Sequence, residues 1–132
     1  MPQTQEQRRA AFALEKISGH VPPNERDKYK TQLVKLPARL HTNGLGQTVA
    51  FYLSAGEPPP GRLGKPEWEI MLWLEGWLVG PDTIYGEIHG ENGRKLIAAI
   101  TSGTDSKYRL ASAEARGLAN WLKRFAEAFL EG

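Results

Sequence analysis

The chain has no cysteine among its 132 residues, which removes disulfides, thiolate zinc sites and a cysteine nucleophile together and fits a reducing cytoplasm. A long apolar run is also missing. The longest such stretch, Ile70 to Val79, is interrupted by Glu75 and Gly76 and falls far short of the ~20 residues that a membrane-spanning helix requires. The opening MPQTQEQRRAAF is polar, unlike a secretory signal. Catalytic patterns are absent too. His20, His41 and His89 have no partners at metal-ligand spacing. Ser18, Ser54, Ser102, Ser106 and Ser112 lie in no G-x-S-x-G elbow. The glycine pair in Asn43-Gly44-Leu45-Gly46 is followed by neither a Walker lysine nor a third glycine. These absences point to a soluble, cytoplasmic protein that is not an enzyme, with no metal and no cofactor.

What is present suits one compact core. At 40% hydrophobic content the chain is long enough for a single domain over residues 1–132 and too short for two ordinary ones. Net charge is only +2, but it is unevenly spread. Residues 1–40 carry eight basic side chains against four acidic ones. Residues 57–91 reverse this, with seven acids against Arg62 and Lys65. From residue 92 onward seven bases face four acids. Basic ends around an acidic middle suit either a polyanion or end-to-end attraction between copies of the chain.

The local patterns are helical throughout. Thr4 precedes an amphipathic run through Ala10, Ala13, Leu14 and Ile17 that stops at Ser18-Gly19. After the loop HVPPN, Asn24 is placed to cap a second helix with Tyr29, Leu33, Leu36 and Leu40 on one stripe. Pro37 lacks the amide that would bond the Leu33 carbonyl, so a kink or an end near Leu36 is expected. The stretch from His41 to Gln47 reads as a break, with Asn43 capping and Gly44 taking an unusual dihedral, before a short buried helix around Val49, Ala50, Phe51 and Leu53. Residues 54–66, with Pro58-Pro59-Pro60-Gly61, should be extended and mobile. Pro66 opens a helix carrying Ile70, Trp73, Leu74, Trp77 and Leu78, ended by Gly80-Pro81. Residues 83–91 are read as loop, Arg94 to Ile100 as a short helix, and Leu110 to Leu130 as the clearest helix, with Leu118, Leu122, Phe125 and Phe129 in a four, three, four rhythm. The expected fold class is all-α, a bundle of five to six helices with a Pro/Gly-rich loop between its N-terminal and C-terminal helices.

Four tryptophans invite base stacking, but Trp73, Trp77 and Trp121 sit among apolar neighbours and are better explained by core packing. The basic residues are arranged more tellingly. Arg109, Arg116 and Lys123 are seven residues apart and so drift only ~20° per step around a helix, and Lys28, Lys35 and Arg39 share a face of the second helix. Each stripe lies ~100° from its helix's apolar stripe. Such cations can neutralise phosphates without sequence preference. Spacing alone allows equally an ordinary solvated face with intrahelical partners, such as Glu127 after Lys123.

Two segments carry a resemblance. Tyr108-Arg109 through Glu114, Leu118, Trp121, Leu122, Lys123, Arg124 and Phe125 to Ala128 closely resembles the C-terminal signature of the small subunit of the type III-B CRISPR effector, the Cmr complex. Leu36-Pro37, followed by Asn43-Gly44-Leu45-Gly46-Gln47 and on to Ala50, Phe51 and Leu53, is similar to that family's other signature. The resemblance implies a non-catalytic all-helical subunit that stacks in several copies beside the subunits holding the CRISPR RNA and helps to accommodate target RNA, with the other Cmr subunits as partners. It carries the RNA-facing role over to Arg109, Lys123 and Arg124 and, less directly, to Arg8, Arg9, Lys28, Lys35 and Arg39; Arg116 joins them through its place on the last helix's stripe. A purely structural scaffold subunit without RNA contact is the alternative. The proline-rich loop and residues 83–91 match the family least.

Overall fold

Five helices, in a computed structural model, account for the regular structure of the described residues, 2–130. Met1 and residues 131–132, included in the single-domain expectation, lie outside the described residues. The helices are α1 (Gln5–Gly19), α2 (Arg26–Leu53), α3 (Pro66–Leu78), α4 (Lys95–Ser102) and α5 (Asp105–Phe129). No strand occurs among the described residues. The all-α expectation holds, and residues 83–91 form turns and irregular loop as expected.

Helix α5 is the axis of the bundle, packing along α2 and α1, while α3 lies against α2. Its buried face is made of Ala111, Ala115, Leu118, Ala119, Leu122 and Ala126. The alanines let neighbouring helices approach closely, and the leucines fill what remains. The apolar stripe outruns its partners at the end: Phe129, expected in the core, is 56% exposed. The helix also starts at Asp105 rather than near Leu110, because the Thr104 hydroxyl accepts from the Lys107 amide and caps it. At the other end of the chain α1 has the expected Thr4 cap, completed by Gln7 into a reciprocal box.

Helix α2 departs from expectation twice. Its start is a 3-10 turn over Pro23–Glu25 rather than a cap by Asn24. It then passes through Pro37 with helical dihedrals instead of ending near Leu36. A proline inside a helix costs ~3 kcal/mol, but Leu33, Leu36 and Leu40 on either side are all buried, and each such side chain contributes ~1.5–3 kcal/mol. Packing therefore outweighs the missing amide. The break falls at Gly44, whose φ of 84° and ψ of 167° lie in a region essentially reserved for glycine. The Tyr108 hydroxyl on α5 accepts from the Gly46 amide at 3.0 Å, pinning the restarted helix to the bundle axis. Leu45, Val49 and Tyr52 then turn inward.

The short helix α4 is held from a distance. Glu75 on α3, 4% exposed, accepts from the backbone amides of Gly93 at 2.9 Å and Leu96 at 3.0 Å. A buried carboxylate thus satisfies amides at a helix N-terminus that has no cap of its own.

Candidate nucleic-acid interface

The nine cations singled out in the sequence divide according to what the fold gives them. Arg9 is consumed internally. Its Nε and Nη2 donate to the two oxygens of Glu114 at 3.1 and 2.6 Å, and its Nη1 donates to Glu6 at 2.6 Å. This fork-to-fork pair ties α1 to α5 with under a fifth of either side chain exposed. Gly117 makes the approach possible, since a Cβ there would stand 2.8 Å from the Arg9 Nε. Glu114 also accepts from Gln5 Nε2 and from the Trp77 indole, each at 3.0 Å. Burial alone would push this carboxyl up, but the bonds from Arg9, Gln5 and Trp77 outweigh it and hold the group below its ordinary value. Glu114, in turn, raises Arg9 further above its own.

Two more cations have carboxylate neighbours on their own stretch of chain. Lys28 lies 3.6 Å from Glu25, and Arg109 lies 3.0 Å from Asp105 with both side chains more than 70% exposed. The exposed Arg109–Asp105 pair contributes ~0–1 kcal/mol, so a phosphate can displace that carboxylate at little cost.

The remaining six, Arg8, Lys35, Arg39, Arg116, Lys123 and Arg124, have no carboxylate at ion-pair distance among the described residues. Glu127 does not pair with Lys123, so the intrahelical partner that a merely solvated face requires is not made. Arg8, Lys35, Arg116 and Arg124 are exposed or partly so, and Lys123 is half-buried. Because α5 is uninterrupted, Arg109, Arg116 and Lys123 stay on one side of it, one heptad apart.

Arg39 is the most firmly held of the six. Its Nη1 donates to Gln32 Oε1 at 2.5 Å and to the Tyr52 hydroxyl at 3.0 Å. Its guanidinium carbon lies 4.7 Å from the centre of the Phe51 ring and 5.5 Å from that of Tyr52. Thr48 donates its hydroxyl proton to the Arg39 carbonyl at 3.1 Å. The break at Gly44 brings these residues together, joining the two halves of α2 around one cation. Spacing cannot show this, because a continuous helix would not fold Phe51 back onto Arg39.

The tryptophans behave as packing residues with polar tips. Trp68 and Trp73 are buried, and Trp77 and Trp121 are half-buried. The indole N–H of Trp77 goes to Glu114 and that of Trp121 to Glu6. No group of three His, Asp or Glu side chains among the described residues is arranged to hold a metal ion, and no described helix is long and apolar enough to cross a membrane.

Comparison with known proteins places these features in a family. Residues 5–129 match the model of the family described as CRISPR-associated protein (Cas_Cmr5). The chain is 26% identical over 122 residues to the CRISPR system Cmr subunit Cmr5 of Thermus thermophilus, covering 92% of both proteins. It is also 36% identical over 58 residues to peptidyl-prolyl cis-trans isomerase B of Streptomyces anulatus, a local match to 44% of this chain and 33% of that protein. This chain therefore aligns with about a third of the isomerase's length.

Proposed function

Because the chain belongs to the Cas_Cmr5 family of CRISPR-associated proteins, we propose that it is the non-catalytic small subunit of a type III-B CRISPR effector complex, contacting target RNA through the outer faces of α2 and α5. In this reading it works in the cytoplasm, several copies associate side by side along the subunits that hold the CRISPR RNA, and cleavage is left to other subunits. The family match takes in every helical residue among the described ones, whereas the isomerase match is confined to less than half of the chain.

One observation carries the RNA contact. Two carboxylates are used within the fold, Glu114 by Arg9 and Glu75 by the α4 amides, while Lys35, Arg116, Lys123 and Arg124 have no acidic partner among the described residues. Cations so disposed bind phosphates by releasing counterions, without sequence preference.

The direct test is to replace Arg109, Lys123 and Arg124 together by Ala and to measure target-RNA retention by the reconstituted complex across a salt series. Retention should fall and its dependence on salt should flatten, by about one unit of log–log slope for each phosphate that is no longer neutralised. Unchanged retention and slope in an intact assembly would remove RNA from these residues. The second reading, a scaffold that never touches RNA, draws on the exposed acids Glu57, Asp82, Glu87 and Glu91, which make no ion pair among the described residues and would meet a neighbour's basic ends. It predicts the unchanged outcome.

A further inference from the structure

A groove of about 520 Å³ opens beside the Gly44 break, lined by Arg39, Thr42, Asn43, Gln47, Thr48 and Phe51. Its size suits a small ligand or one residue of a polymer. Its lining contains no carboxylate and includes one cation, two amides, two hydroxyls and one aromatic ring.

Three features make it more than a surface dent. Arg39 is fixed from below through Nη1, and its Nε and Nη2 hydrogens have no acceptor among the described residues, so an immobilised guanidinium keeps an open edge for an anion. Fixing the fork in advance lowers the ordering cost of binding. Phe51 is 52% exposed although Arg39 covers part of it; a large ring left open beside a cation is a stacking surface. Asn43 and Gln47, on either side of the Gly44 break and both exposed, each offer a donor and an acceptor, the complement of an unpaired base's edge. Lys35, one turn before Arg39 and also exposed, continues the positive track away from the groove.

We propose that this groove holds a single unpaired RNA nucleotide, with its base against Phe51 and the amides of Asn43 and Gln47 and its phosphate on the open edge of Arg39. The inference rests on the RNA-contact reading above and sharpens it, adding a stacking contact to contacts that are otherwise purely electrostatic. A phosphate track alone has no use for an exposed ring and two amides, whereas a nucleotide uses Phe51, both amides and Arg39 together.

The experiment compares Phe51→Leu, Phe51→Tyr and the double change Asn43→Ala with Gln47→Ala, each assembled into the complex and titrated with labelled single-stranded target RNA across a salt series. The triple cation variant serves as the control. Phe51→Leu should weaken binding about tenfold, the scale of one base–aromatic stack, with the salt slope unchanged. Phe51→Tyr should bind like the parent, and the double amide variant should weaken binding with the slope again intact. If Phe51→Leu and the amide variant stay within twofold of the parent while the triple variant still flattens the slope, the groove holds no nucleotide and the phosphate contact stands alone. If the parent assembly itself shows no RNA contact at this subunit, the groove assignment and the proposed function fall together. Should Phe51→Leu fail to assemble, the double amide variant, altered only at exposed positions, decides the matter by the same criterion.

Discussion

Glu114 gathers three elements onto one carboxylate: Gln5 and Arg9 from α1, Trp77 from α3, and its own α5. Replacing it by Gln keeps the shape but removes the charge that Arg9 faces across the interface. The loss should be about 2 kcal/mol in urea unfolding at pH 7, the scale of a charged hydrogen-bond set. The pH dependence has a definite sign. The folded carboxyl titrates below its ordinary 4.5, so its contribution is complete above that value and disappears as pH falls through the lower folded value. Parent and Glu114→Gln proteins should therefore differ fully above pH 4.5 and converge in stability as pH falls below it through the lower folded value; a constant gap across the range would contradict the ion pair. Little of this is legible in the sequence. There Arg9 reads as a cation facing solvent, because nothing local shows that a residue 105 positions away supplies its partner.

At the scale of the element, α2 shows which local rules survive packing. By local rules Pro37 should kink or end the helix, yet the helix does not end there: its dihedrals stay helical through Pro37, with buried leucines on both sides. Gly44 reads as a break with an unusual dihedral and is one, because a positive φ is a backbone requirement that no packing can waive. The two positions should respond in opposite directions. Gly44→Ala should cost about 1–3 kcal/mol, the strain of that region for a residue with a Cβ, whereas Pro37→Ala restores a helical amide and should stabilise the protein by up to about 3 kcal/mol. Denaturant midpoints measure both, and a destabilised Pro37→Ala would mean that the ring itself is a packing element. Helix α5 is legible for a different reason: its apolar residues recur every three or four positions against two partners, so sequence and environment share one period. Its true start lies five residues before the apolar pattern begins, because the first turn is polar and its signal is the Thr104 cap. The groove beside Gly44 is not legible at all, as it exists only once the break folds Phe51 onto Arg39.

Across the whole molecule, a net charge of +2 understates how positive the outside of α2 and α5 is. Glu114 is neutralised by Arg9 inside the fold, while Lys35, Arg116 and Arg124 remain in solvent without an acidic partner among the described residues. The exposed acids Glu57, Asp82, Glu87 and Glu91 lie outside α2 and α5, so the outer faces of those two helices are the ones on which the proposed RNA contact rests. The central claim is that this subunit touches RNA, and the measurement closest to it is photocrosslinking of target RNA within the assembled complex, followed by identification of the linked peptides. Adducts should map to α2 between Lys28 and Phe51 and to α5 between Arg109 and Arg124. Adducts on the neighbouring subunits with none on this chain would contradict the account and leave the protein a scaffold.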